Sequence, residues 1–399
     1  MKKLTNIGQL VTCNSDTNNI ETLSNVEMLI ENDRIVSIAP SVGNGDETID
    51  CQHKLVTPGF VDPHTHPVFF DGRDEEYSLR LSGATYEEIA EKGGGIRSSI
   101  SGVQNASENE LMKRVIKRMN RFLHLGTTTI EAKSGYGLDT ESELKSLRVL
   151  DRVNKEHPID IVPTFLGAHA FPPEFADNHD GYVDLLCDEM ITAVAEQGIA
   201  KYCDVFCENG YFTVEQSRRI LETAKKHGLI PRLHADEFED SGAAELAAEV
   251  GAVSADHLMA VSDAGITALK DGNVTATLLP GTTFYLGKQS YAPANKLTEA
   301  GIPIALATDF NPGSSHLQSM PFMISLACLY LGMSVEEAFK AATWQSAVTL
   351  GMEHEVGSIE VGKKADLVIW DLARLIEIPY FSSDVPMISV MKTGNLLNL

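Results

Sequence analysis

The chain of 399 residues is 43% hydrophobic and carries a formal net charge of -24 at neutral pH. That length holds one large domain or two with a substantial core, and the charge argues against nucleic acid or anionic lipid as a partner. No run of about 18 apolar residues is present to cross a membrane. The start, "MKKLTNIGQLVTCNSD", lacks an apolar signal region, so a cytoplasmic protein is expected. Cys13, Cys51, Cys187, Cys203, Cys207 and Cys328 show no C-x-x-C spacing. A bound metal would therefore have to be held by histidine and carboxylate.

The first elements, in "NVEMLIENDRIVSIAP" and "ETIDCQHKLVT", read as short strands and turns. From residue 56 onward, β-rich runs alternate with amphipathic helical segments, the pattern of a parallel α/β fold. The strand candidates are Val56 to His66, Thr127 to Lys133, Ile159 to His169, Tyr202 to Glu208, Ile230 to His234, Ala252 to His257, Thr275 to Pro280 and Pro303 to Asp309. Eight such strands suit a closed (β/α)8 barrel. Ser107, Thr140, Thr213 and Ser334 each stand three residues before Glu or Gln, a capping-box spacing that starts helices. Gly126, Gly228, Gly251, Gly272 and Gly301 fall where helices should stop. The connection after His66 runs about forty residues through "GATYEEIAEKGGGIRSS", far beyond an ordinary βα loop, and marks 67–106 as a candidate lid. The tail "GSIEVGKKADLVIWDL" again alternates and turns. Residues 1–57 and 353–399 are thus expected to pair as a small β-sandwich beside a barrel spanning 58–352.

Barrel strands end in a consistent way. The first ends in "HTH" with His64 and His66, the third in His169, the fifth in "HADEF" with His234 and Glu237, the sixth in His257, and the eighth in Asp309. Active sites of such barrels are built from these C-terminal ends, so the residues should converge. A lone histidine at a strand end is most often a hydrogen-bonded structural residue, and five at corresponding places make that reading improbable. His64, His66, His234 and Asp309 supply three nitrogens and an oxygen, a set that suits one Zn²⁺ or iron ion. Asp62, two residues before His64, is expected to orient an imidazole. Arg73, in "FFDGR", is the candidate cation for a substrate carboxylate in an otherwise acidic protein. Read alone, Arg73 is better taken as a surface residue pairing with Asp74 or Glu75.

The motifs "PGFVDPHTH", "HADEF", "SADHL", "ATDFNPGSS" and "GSIEVGKKADLVIWD" together resemble the amidohydrolase superfamily. "EAKSGYGLD", "GAHAFPPEF", "GGGI" and "LLPGTTFYLG" resemble the branch that acts in histidine degradation. The resemblance implies hydrolysis of 4-imidazolone-5-propanoate to N-formimidoyl-L-glutamate by attack of activated water on the cyclic amide carbonyl. It implies catalytic roles for Glu237, His257 and Asp309, any of which can be the base, and substrate contacts from Arg73, Tyr136, His169, Glu237, Asn311, Gly313 and Ser314. The partner implied is a small molecule, and a homodimer is the expected assembly. The alternatives are a deaminase of nucleobase-like rings using the same metal set, and a barrel that has lost its chemistry and serves binding. Two-metal relatives use a bridging carboxylated lysine. The fourth strand, "YCDVFCENG", offers none, which favours one metal, and Lys133 on the second strand is the residue that argues otherwise.

Overall fold

A computed structural model describes residues 1–85, 88–89 and 92–397. Strands β1 (Lys2–Asn14), β2 (Asn19–Glu31), β3 (Arg34–Ala39) and β4 (Glu47–Pro58) open the chain. Then come β5 (Phe60–Asp62), β6 (Thr127–Lys133), β7 (Asp160–Ala168), β8 (Tyr202–Cys207), β9 (Ile230–Ala235), β10 (Ser254–His257), β11 (Thr275–Leu278) and β12 (Ile304–Leu306), with helices between them. The tail adds β13 (Leu367–Trp370), β14 (Met387–Lys392) and β15 (Asn395–Leu396).

Strands β5 to β12 form an eight-stranded sheet in sequence order, all neighbours parallel. It rolls up until its first and last strands meet: His66 N donates to Phe310 O at 2.8 Å, and Asp309 N donates to His64 O at 3.1 Å. The barrel is thus joined at the segments that carry the expected ligands. β6, with the sequence TTTIEAK, is buried along its whole length, as a strand covered by helices on one side and barrel interior on the other must be. The helix Glu108–His124 turns Leu111, Met112, Val115, Met119, Phe122 and Leu123 inward at helical spacing, and this stripe docks it onto the barrel.

The remaining strands form a mixed seven-stranded sheet in the order β15-β14-β13-β4-β1-β2-β3, built from both chain ends as expected. Leu4, Ile7, Leu10, Met28, Ile30, Leu367 and Met391 belong to its own core. The expected strand Val56 to His66 is divided. Val56, Thr57 and Pro58 pair with β13, while Phe60 and the residues after it pair with β6. Gly59, whose N–H reaches Asp366 O at 2.9 Å, is the point of exchange.

Three of the four capping boxes are present, at Ser107, Thr213 and Ser334. The fourth is not. Asp139 caps the helix Thr140–Glu156 by accepting from Ser142 N, and Glu143 turns away to serve the active-site turn described below. Gly126, Gly228, Gly251 and Gly301 take left-handed φ values of 84, 85, 66 and 82°, the conformation a helix stop needs. Gly272 stays right-handed, and Asn273, φ 53°, makes that turn instead. The long connection after His66 contains the helices Asp74–Leu81 and Ile100–Asn105. Residues 86–87 and 90–91 of the expected lid lie outside the described residues. Among the described residues, no helix is long and apolar enough to cross a membrane.

Trp370 joins the two sheets. It is buried, its Nε1 donates to Thr57 Oγ1 at 2.9 Å, and its ring lies 5.9 Å from that of Phe60. Trp370→Ala should destabilise the protein by about 3–5 kcal/mol, read as an earlier midpoint in denaturant unfolding. A shift within about 0.5 kcal/mol, the range of a surface substitution, would show that the seam is held elsewhere.

Candidate active site

The C-terminal mouth of the barrel gathers the expected ligands around one point. His64 Nε2 lies 3.1 Å from His66 Nε2, and His66 Nε2 lies 3.4 Å from His234 Nε2. Asp309 Oδ1 is 3.3 Å from His66 Nε2 and 3.6 Å from His64 Nε2. His64, His66 and His234 form one buried group able to hold a metal ion, and Asp309 forms another with His64 and His257. Ligand atoms about 2.0–2.1 Å from a tetrahedral ion lie roughly 3.3–3.4 Å apart, so the spacing fits a single metal ion.

The backbone goes out of its way to aim these groups. His257, φ 84°, and Asp309, φ 53°, both hold left-handed conformations that β-strand ends do not normally adopt. Burial, reinforced by Lys133 and the neighbouring imidazoles, holds His64 well below the ordinary histidine range, and burial together with His234 does the same to His66. Both rings therefore stay neutral, the form a metal requires. Burial also pushes His257 down to about 3, against the pull of Asp309.

Behind the ligands stand charged residues that the sequence reading did not assign to the site. His64 Nδ1 lies 2.7 Å from Asp256 Oδ2, and His234 Nδ1 lies 3.0 Å from Asp204 Oδ1. These carboxylates fix the tautomer that turns each Nε2 lone pair to the centre. Asp62, expected to orient an imidazole, instead binds backbone and a hydroxyl. It accepts from His64 N at 3.4 Å, Thr308 N at 3.2 Å and Thr308 Oγ1 at 2.5 Å, which ties the first strand to the last. Lys133 Nζ is 2.7 Å from both Glu131 Oε1 and Asp204 Oδ2. Burial opposes its charge, but Asp204 and Glu131 outweigh burial and keep Lys133 above the ordinary lysine range. It sits there as an ammonium in a salt bridge.

A cleft opens above this cluster, lined by Arg73, Tyr136, His169, Glu237, His257, Asn311 and Ser314 among others. Every substrate-facing residue expected from the sequence except Gly313 lines it. Gly313 lies against Arg73: a Cβ there would stand 1.8 Å from Arg73 Nη2, so the guanidinium rests on bare backbone. Arg73 is 7% exposed, and its Nε donates to Glu76 Oε2 at 3.0 Å. The surface pairing with Asp74 or Glu75 is not formed. Glu76 also accepts from Ser98 Oγ at 2.7 Å and Gly95 N at 3.2 Å, which joins the arginine to the "GGGI" turn. His169 stacks on His66, ring centroids 5.0 Å apart and planes 18° from parallel, and its Nδ1 donates to Gly135 O at 2.8 Å. Glu237 Oε2 stands 3.7 Å from His257 Nε2.

Parallel barrels flanked by a sheet from both chain ends make up the amidohydrolase class, and a model of the amidohydrolase family matches residues 208–397. The fold is shared with a 5-methylcytosine deaminase from Klebsiella pneumoniae, TM-score 0.76 at 18% identity over 99% of this chain and 97% of that one. It is shared equally with a zinc-complexed atrazine chlorohydrolase from Arthrobacter aurescens, TM-score 0.77 at 16% identity over 100% and 95%. Sequence relatives are far nearer. An imidazolonepropionase of Geobacillus kaustophilus is 48% identical across 94% of this chain and 90% of its own length, and one of Clostridium tetani is 44% identical across 98% and 97%. The chain belongs to the imidazolonepropionase family.

Glu143 accounts for the shape of the turn carrying Tyr136. Buried, it accepts from Gly135 N at 2.8 Å and from Gly137 N and Leu138 N at 2.9 Å. Glu143→Gln keeps the size but replaces a carboxyl group, which offers two acceptor oxygens, with an amide that has one. It should cost about 1–3 kcal/mol and speed amide hydrogen exchange at residues 135–138. Unchanged protection there would remove the clamp.

Proposed function

We propose that the protein hydrolyses 4-imidazolone-5-propanoate to N-formimidoyl-L-glutamate, using one zinc or iron ion held by His64, His66, His234 and Asp309. Full-length relatedness to imidazolonepropionases supports the reaction. The observation that carries the substrate is Arg73, a nearly buried guanidinium lining the same cleft as the metal-ligating cluster in a protein of net charge -24. Paired with Glu76 on one side, it faces the cleft on the other, where an anionic group of the substrate can meet it.

When bound, the ion supplies Lewis acidity that brings the pKa of water toward neutrality and polarises the ring carbonyl. Water adds to that carbonyl carbon, which becomes the new carboxylate, and the bond to the adjacent ring nitrogen breaks to leave the formimidoyl group on the other nitrogen. Glu237 is assigned the proton transfer: its carboxylate receives a proton from water and gives it to the departing nitrogen. His257, neutral at working pH and 3.7 Å from Glu237, donates to the oxygen that gains negative charge. Asp309, hydrogen-bonded from Thr282 Oγ1 at 2.6 Å, keeps one oxygen turned toward the ligand nitrogens. Arg73 binds the propanoate, Tyr136 and His169 flank the ring, and Asn311, with Gly313 and Ser314, shapes the opposite wall.

The direct test is to incubate the purified protein with imidazolonepropionate and identify formiminoglutamate as the product. About one equivalent of zinc or iron should copurify, and chelation should abolish turnover until metal is restored. Release of ammonia from a nucleobase-like ring, with imidazolonepropionate untouched, would replace this reading with a deaminase.

Glu237→Gln should retain metal and lose roughly a hundredfold or more in kcat. Near-normal turnover would pass the proton to Asp309 or His257. Arg73→Ala should lower kcat/KM by about two orders of magnitude at unchanged metal content, as expected for losing a charge-assisted pair worth about 2–4 kcal/mol. Amidating the propanoate should penalise the wild type but not that variant. An equal preference for the free acid in both would show that the carboxylate binds elsewhere.

A further inference from the structure

We infer that Lys133 and Arg232 are positioning residues of the metal centre: through Asp204 and Asp256 they lock His234 and His64, and leave His66 as the one ligand imidazole the scaffold does not fix. The inference rests on the metal-site reading above and concerns residues which that reading does not use.

The two locks have the same construction. Lys133 Nζ bridges Glu131 and Asp204 at 2.7 Å each. Asp204 Oδ1 in turn meets both His234 Nδ1, at 3.0 Å, and the His234 backbone N–H, at 3.2 Å, so ring and main chain of this ligand are gripped by one carboxylate oxygen. Arg232 Nη2 donates to Pro63 O at 2.9 Å, the carbonyl immediately before His64, and reaches Asp256 Oδ2 at 3.3 Å. The same Asp256 oxygen lies 2.7 Å from His64 Nδ1. Again one cation and one carboxylate hold ring and main chain together. All six residues of the two locks that precede the ligands or back them, Glu131, Lys133, Asp204, Arg232, Asp256 and Pro63, are buried. No solvent motion loosens these charges, and removing one would leave its partner unpaired.

His66 has no such support. Its Nδ1 is buried without a hydrogen-bond partner, and its ring is held by stacking on His169, 5.0 Å away and 18° from parallel. Metal-ligating histidines almost always donate the distal N–H to a carboxylate, carbonyl or water; among the described residues no carboxylate or carbonyl takes the His66 proton, so packing rather than a charged partner sets its ring. His66 lines the cleft together with His234 and Asp309, and it is the least constrained of these; His169, which also lines the cleft and stacks on His66, is the residue through which an occupant reaches that ring.

Co²⁺ substitution in the full-length wild-type chain tests this without any variant. Ring N–H protons of imidazoles bound to Co²⁺ are shifted far from the rest of the proton spectrum, and their exchange with solvent can be timed. Two should exchange slowly, and one, from His66, at least about tenfold faster or too fast to observe. Three signals with comparable exchange would overturn the inference while leaving the metal site intact, whereas a chain that binds no Co²⁺ would overturn both. The double variant Glu131→Gln with Lys133→Met removes one charge of each sign, and should release Co²⁺ to a chelator about 10–100-fold faster and speed exchange of the His234 proton alone. Arg232→Lys, which keeps the cation beside Asp256, should retain slow exchange at His64. A folded double variant with wild-type release and exchange would assign Lys133 to stability only.

Discussion

Three imidazole nitrogens and a carboxylate oxygen are aimed into one buried space, where their lone pairs repel one another, and on the proposed reading a cation held among them would relieve that repulsion. The barrel is organised to hold that arrangement. Its first and last strands are joined by backbone hydrogen bonds from His66 and Asp309, so the same short segments close the barrel and present ligands. Asp62 reinforces the junction from beneath by accepting from both His64 N and Thr308 N. Without a cation, the mutual repulsion of these groups would fall on the seam of the barrel.

The interior under the cluster departs from the branched apolar layers that commonly fill such barrels. Glu131, Asp204, Asp256 and Asp309 face Lys133 and Arg232 there, all of them buried. Burial pushes Asp62 up to about 7 and raises Glu131 and Asp309 above the ordinary carboxylate range. Burying unpaired charges is costly and burying balanced ones far less so; this polar core can persist because each member has a partner.

The sequence carried the fold through period and punctuation. Parallel strands buried on both faces gave compact β-rich runs, and helix starts were visible at Ser107, Thr213 and Ser334 because a capping box is a local interaction. Thr140 carried the same spacing, but Glu143 found three backbone donors in a neighbouring turn, a tertiary contact that outweighed the local one. The cluster of imidazoles was legible because histidines recur at strand ends. Their supports were not, because a single Asp in "YCDVFC" or Arg in "IPRLHA" names no partner until strands are placed side by side. The available signal was an ionisable residue inside a strand expected to be wholly buried, which requires an opposite charge nearby. Asp62 was misread for a related reason: sharing a face with His64 says nothing about whether the side chain meets the ring or the backbone.

Sharing a barrel with a cytosine deaminase and a chlorohydrolase means that the strand ends alone do not choose a substrate. That choice falls to loops, and here each substrate-facing loop is held by one buried or half-buried polar side chain. Glu143 gathers three N–H groups of the Tyr136 turn. Asn311 Oδ1 accepts from Gly313 N and Ser314 N, setting the surface on which Arg73 rests. Arg118, stacked 3.4 Å over the Phe69 ring, donates to Pro67 O and Phe69 O at 2.7 Å each and fixes the start of the segment that carries Arg73. Burial lowers the Arg118 guanidinium to about 9, which still leaves it charged at neutral pH. Loops fastened in this way would lose little entropy on receiving a ligand, so more of the binding free energy would remain for orienting it. On the proposed function, a protein with so large a negative charge could then select an anion: the repulsion is long-range and screened by salt, whereas the Arg73 guanidinium would act at contact in a partly dry cleft, where screening is weakest.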